Sequence, residues 1–367
     1  MAESANVGSK GNTFEEIELT VNKIHGDKTQ QSTEGSTDTK NEEKFQPYKK
    51  ILVENGFVHV NIQGNLRKPA MITFHDFGLN HKTCFGGYLG FPESEVLLEN
   101  FCIYHVDAPG QEEDAEVLPD TYQYPTMDQL ANNILTVCEH YNIRRFIGFG
   151  VGVGGNVLLR FALKHKAMVT SLILVNTVSM AASWAEWGQQ KLTGWYLSRN
   201  GVTNHTLNHL EWYYFGQTPE INIDELNHLR SCLMKLKPTN LAKFMNSYHN
   251  RTVIQITKPS STMPASSPTV LSCPVLLMVG SESPIIDQVV DLNSRLDPTQ
   301  STFMKLEECG GLLLDEKAGA VSTGVQLFLQ GQGYMVHKKV KAFSSMTPAP
   351  ETEKQKPAIQ ESEEVLV

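Results

Sequence analysis

The chain has 367 residues, 40% of them hydrophobic, and a formal net charge of −9 at neutral pH. That length holds one large α/β domain or two small ones, with enough apolar residues for a sizeable core, and the acidic balance argues against broad nucleic-acid binding, which needs a basic footprint. No apolar run reaches the roughly 18 residues of a membrane span, so no transmembrane segment is expected.

The amino-terminal MAESANVGSK has no apolar signal core and no glycine at position 2 for myristoylation. An intracellular location is therefore expected. Residues 1–45 are rich in Glu, Ser, Thr, Asn and Lys without sustained periodicity, and read as a disordered tail. The folded domain is placed at 46–336. Its first signal is a pair of apolar runs, 51–53 and 57–60, flanking Asn55-Gly56, a hairpin. Ala70–Phe74 is the next strand. The glycine-containing stretch from Asp76 to Phe91 reads as a loop. Residues 101–106 make a strand ending in the turn Asp107-Ala108-Pro109-Gly110. An acidic surface loop follows, over 111–124. Thr126 and Gln129 then form a capping box for a helix reaching about His140.

Arg145 to His165, RFIGFGVGVGGNVLLRFALKH, reads as a short buried strand, a glycine turn and a helix. Val153, Val157, Leu158, Phe161 and Ala162 fall on one helical face. Residues 172–175 are the next strand. The succession implies a mostly parallel, doubly wound sheet. Residues 180–250 read as a helical cap holding Trp184, Trp187, Trp195 and Trp212, either packed inward or forming a partner-binding patch. A Pro/Ser-rich linker spans 258–272. The sheet resumes at 275–279, with a helix carrying Ile285, Ile286, Val289, Val290 and Leu296. A strand over 303–306 and a helix around Val321, Val325, Phe328 and Leu329 close the domain. Residues 337–367 read as a second disordered tail.

A sharp strand-turn-helix is the geometry of a nucleophile elbow, G-x-S-x-G. Here the five residues are Gly150-Val151-Gly152-Val153-Gly154, so glycine stands where the serine belongs. The acid of such a triad would follow the strand at 275–279, at Ser283, and the histidine would follow the last strand, at Gly311. No histidine lies between His249 and His337. All three positions lack the required chemistry, so no catalytic residue is expected. His75 and Asp76 sit where hydrolases place an oxyanion-hole loop. With Asp107, Val151 and Val153 they are the candidate pocket lining, either touching a ligand or satisfying local backbone.

The same glycines match G-x-G-x-x-G, but the following strand ends in Val175-Asn176, without the acidic residue a dinucleotide ribose needs. No cofactor is expected. His205 and His209 stand at i, i+4 with Glu211 nearby. Metal ligation needs a third ligand and enclosure, so they read as a solvated helix face and no metal is expected. Cysteines 84, 102, 138, 232, 273 and 309 form no CxxC pair and read as buried free thiols.

The runs ITFHDFGLNHKTCF, HVDAPGQEE, YQYPTMDQLA, IGFGVGVGGNVLLRFAL, NSYHNR, LDPTQ and FLQGQGY resemble the N-myc downstream-regulated family over about residues 48–336. The resemblance implies an α/β-hydrolase fold with a helical cap and no hydrolase activity. It also implies a mainly cytoplasmic protein with a signalling or adaptor role in differentiation, growth or stress response, exerted through protein partners. A small-molecule sensor using the vestigial pocket is the first alternative, and a hydrolase with an unorthodox nucleophile such as Cys84 the second. On the leading reading Gly152→Ala leaves function unchanged, provided the backbone there tolerates a Cβ.

Overall fold

The structure, a computed structural model, describes residues 49–182, 194, 196–216, 222–260, 263–264 and 266–335. Both tails and Trp184, Trp187 and Trp195 therefore lie outside the described residues. One eight-stranded sheet runs in the order β1-β2-β4-β3-β5-β6-β7-β8. Its strands are β1 Lys49–Val53, β2 Gly56–Gly64, β3 Ala70–Phe74, β4 Cys102–Asp107, β5 Phe146–Val151, β6 Val169–Val175, β7 Val275–Gly280 and β8 Ser301–Leu306. The β1–β2 and β2–β4 pairs are antiparallel and every other pair is parallel. The hairpin turns at Asn55-Gly56, where Gly56 adopts a φ of +113°. All residues of β4, β5 and β7 are buried, because helices cover both faces of the parallel part.

The helices include α1 Gly87–Leu89, α2 Glu95–Asn100, α3 Met127–His140, α4 Val153–Lys164, α5 Asn204–Phe215, α6 Ile223–Lys235, α7 Pro238–His249, α8 Ile286–Arg295, α9 Leu313–Glu316 and α10 Ala318–Gly331. The capping box of α3 forms as its sequence implies, with Thr126 Oγ1 accepting from Gln129 N and Gln129 Oε1 accepting from Thr126 N. In α8 Val289 and Leu292 are buried, whereas Val290 is exposed. Being adjacent to Val289, it points to another side of the helix.

Three local expectations change. The loop expected after β3 contains a π-helical turn, Lys82–Gly86, running into α1. Glycine-rich sequence has poor helix propensity, but packing supplies what propensity lacks. Phe85 and Tyr88 make T-shaped contacts with Phe149 at 5.4 and 5.9 Å between ring centroids. Helix α4 is buried from Val153 to Ala162 on every side, not along one face. Its Arg160 is carried inside by bonds to Asn156, Asp128 and Thr252. The Pro/Ser-rich stretch belongs to a closed loop between α7 and β7. Thr257 N donates to Thr269 O at 2.9 Å and the two hydroxyls meet at 2.7 Å, while Val270 and Leu271 are buried.

Candidate functional site

Gly152 joins β5 to α4 with φ 53° and ψ −113°, a conformation glycine adopts without steric penalty. The turn is tight because the chain passes close to itself. A Cβ on Gly150 would stand 2.5 Å from Gly155 Cα, and one on Gly154 would overlap the carbonyl of Phe74. A Cβ on Gly152 itself would overlap the carboxyl group of Asp76. Alanine at 152 therefore does not meet the condition set on the sequence expectation, a backbone that tolerates a Cβ, since it meets both a positive φ and an occupied space.

The Asp76 carboxylate is held at the elbow by three donors. Its Oδ1 accepts from Val153 N at 3.0 Å and from Phe77 N at 2.8 Å. Its Oδ2 accepts from the hydroxyl of Tyr213, on α5, at 3.0 Å. Burial pushes the Asp76 carboxyl up to about 7, and the three donors oppose that rise. Aromatic rings close over it. Phe77 packs on Tyr213 at 4.6 Å and on Tyr248 at 6.0 Å, and the Tyr214 hydroxyl donates to Phe77 O.

His75 is satisfied by backbone on both sides. Nδ1–H donates to Asp76 O at 2.7 Å, and Nε2 accepts from Ala108 N at 3.0 Å. Burial lowers its pKa, in keeping with a neutral ring. Asp107 anchors the π-helical turn. Its Oδ1 accepts from His81 N at 2.7 Å and its Oδ2 from His81 Nδ1 at 2.8 Å. Burial raises the Asp107 carboxyl, but these bonds and the charge of His81 bring it below its ordinary value on balance. Val151 and Val153 are buried in the same layer. The sequence reading singled out His75, Asp76 and Asp107 but missed their partners Tyr213 and His81, which come from a distant helix and from the expected loop.

Ser283 and Gly311 stand at the same end of the sheet as Gly152, beyond the ends of β7 and β8. Glu282 N donates to Cys309 O at 2.9 Å, and Ser281 Oγ accepts from Glu308 N at 2.9 Å. Ser283 is buried, and its hydroxyl has no hydrogen-bond partner among the described residues. Gly311 N donates to Tyr214 O, and Gly311 O accepts from Asn176 Nδ2 at 2.8 Å. A Cβ on Gly311 would stand 2.9 Å from Tyr214 O, so the carboxyl end of α5 occupies the space a side chain there would need.

Among the described residues no group of three His, Cys, Asp or Glu side chains is arranged to hold a metal ion. His209 does not lie on a solvated face as expected. It is buried and stacks on Trp212 at 6.1 Å, because its side of α5 turns inward. Glu211 pairs with Arg230 across α5 and α6. All six cysteines are buried and free, as the spacing implies. Burial pushes the Cys84 thiol well up, which disfavours a thiolate nucleophile. No described helix is long and apolar enough to cross a membrane.

Solved structures with the same architecture include an esterase of Thermogutta terrifontis, with TM-score 0.63 and 20% identity over 78% of this chain and 99% of that one. The enol-lactonase of Burkholderia xenovorans LB400 aligns with TM-score 0.62 and 17% identity over 77% of this chain and 100% of that one. These place the chain in the α/β-hydrolase fold. In sequence, protein NDRG3 of Xenopus laevis is 40% identical over 283 residues, 76% of this chain and 74% of the relative. Protein NDRG1 of Xenopus tropicalis is 37% identical over 289 residues, 78% and 71% of the two chains. The Ndr family model matches residues 48–336. The described fold and these matches together make the chain a member of the Ndr family.

Proposed function

We propose that this Ndr-family chain is a catalytically inactive α/β-hydrolase-fold protein that acts in the cytoplasm as a signalling adaptor, through protein partners bound by its cap and surface. On this reading Gly152, Ser283 and Gly311 are the degenerate triad positions. The observation that carries it is the Asp76 carboxylate. In an α/β-hydrolase the oxyanion hole is built from the N–H after the nucleophile and an N–H from the loop after β3. The corresponding donors here, Val153 N and Phe77 N, are both spent on Asp76 Oδ1. A bound oxyanion would have to displace a tethered carboxylate. The aromatic packing of Phe77, Tyr213 and Tyr248 over that carboxylate likewise leaves no support for a ligand seated at the elbow.

The test is labelling of the purified protein with a fluorophosphonate probe beside a panel of ester substrates. The expected result is no labelled serine and no turnover. Stoichiometric labelling of one serine with matching turnover overturns the reading.

A further inference from the structure

Away from the elbow, a cavity of about 260 Å³ opens between the cap and the sheet's carboxyl end. Three segments line it. Helix α6 supplies Asp224, Glu225, His228, Leu229 and Cys232, the loop after β3 supplies Leu79 and Thr83, and the segment around α9 supplies Leu312 and Asp315. The floor is apolar, since Leu79, Leu229, Cys232 and Leu312 are buried hydrophobic residues. Glu225 lies half-buried in the wall, and Asp224 and Asp315 are exposed at the edge. None of the elbow residues takes part.

The three carboxylates have no cation of their own among the described residues. Asn222 Nδ2 donates to Glu225 Oε1 at 3.2 Å, and His228 turns its Nε2 toward Cys232 Sγ at 3.6 Å. Carboxylates set around an apolar hollow favour a ligand that brings positive charge on a hydrocarbon body. A metal ion is the wrong shape for this site, because no three of these ligating groups converge, whereas an alkyl chain covers the leucines and its charged end reaches the rim.

We propose that this cavity is a binding site for an aliphatic ammonium or guanidinium group, its stem on Leu79, Leu229 and Leu312 and its charge between Glu225 and Asp315. The volume falls just under the roughly 300–1,000 Å³ of pockets that take drug-sized ligands, which suits a small amine or one lysine or arginine side chain. The assignment goes beyond the adaptor reading and stands whether or not the elbow is inert, since it is tested by binding alone.

The experiment is calorimetric or ligand-observed NMR titration of the full chain with n-hexylamine and agmatine, with n-hexanol and hexanoate as controls. A capped Gly-Lys-Gly peptide forms a further arm. The amines bind, the alcohol binds at least about tenfold more weakly, as expected for losing a charge-assisted hydrogen bond, and hexanoate does not bind. Asp315→Asn with Glu225→Gln abolishes the preference for amine over alcohol while circular dichroism shows the fold retained. Leu229→Trp, which fills the floor, blocks both amines and is the second variant should the first fail to fold. Binding of the free amines alone identifies a small-molecule site, and binding of the lysine peptide as well identifies a partner's side chain; both support the site. Equal binding of amine and alcohol, no amine binding, or binding indifferent to both variants overturns it.

Discussion

The elbow and the α6–α9 cavity lie at the same end of the sheet, and both present carboxylates to the protein interior or its edge, yet their polar groups are treated oppositely. At the elbow Asp76 receives two backbone donors and a tyrosine hydroxyl, and His75 has a backbone partner for each ring nitrogen. In the cavity Asp224, Glu225 and Asp315 share an apolar hollow, with no ion pair among the described residues to neutralise them. A buried polar group left unpaired costs roughly 1–3 kcal/mol, so a site with its polar atoms paired internally is stabilised in its closed form. The contrast separates a hollow that the chain has filled with its own side chains from one whose charge is open to a ligand.

The largest expected effect breaks the elbow's side of this contrast. Gly152→Ser should destabilise the fold by about 3 kcal/mol, through positive-φ strain and overlap with the Asp76 carboxyl. Asp76→Gly adds its own loss by freeing three donors. Because the introduced hydroxymethyl group then occupies vacated space, the double variant should be less destabilised than the sum by about 1 kcal/mol or more. Urea unfolding of the four proteins checks this, and strict additivity would show that Asp76 and the elbow do not share one space.

Next in size is a pH effect. The folded-state carboxyl of Asp76 is raised from 3.8 to about 7, so the folded chain binds this proton more tightly than the unfolded chain. Its contribution to stability is therefore greatest at low pH and is lost as pH rises through that interval. Asp76→Asn keeps an oxygen for Val153 N and Phe77 N and an amide group facing Tyr213, and removes the titration. Measured by denaturation at pH 5 and pH 8, the variant should gain on the wild type as pH rises. A difference independent of pH would mean that Asp76 does not titrate there.

The smallest effect concerns the cap. Trp212 is 45% exposed, so Trp212→Ala should change stability by only about 1 kcal/mol or less. If the cap is the partner surface, cross-linking in cells should lose partners that the wild type retains. An unchanged set of partners would move the proposed interaction off this part of α5.

Local signals made much of the architecture legible. Asn55-Gly56 announced the hairpin, Thr126 with Gln129 announced the start of α3, and the glycines of 150–155 announced the elbow, each through residues a few positions apart. The helical stretch over 82–89 stayed hidden because its glycines argue against a helix and the rings that stabilise it pack on Phe149. The burial of His209 was hidden for a similar reason, since only the arrival of neighbouring elements decides which side of α5 turns inward.

By itself the sequence determined the order of the strands and of most helices, the absence of a hydroxyl at the elbow and the absence of any histidine between His249 and His337, because periodicity, turn chemistry and residue identity are local properties. Only the tertiary structure decided what surrounds the elbow. Asp76 meets Val153 across 77 residues and Tyr213 across 137, and the cavity draws its walls from segments around Leu79, Leu229 and Leu312. Contacts at such separations are selected by how the whole sheet and its cap bury apolar surface together, and no local stretch of chain encodes them.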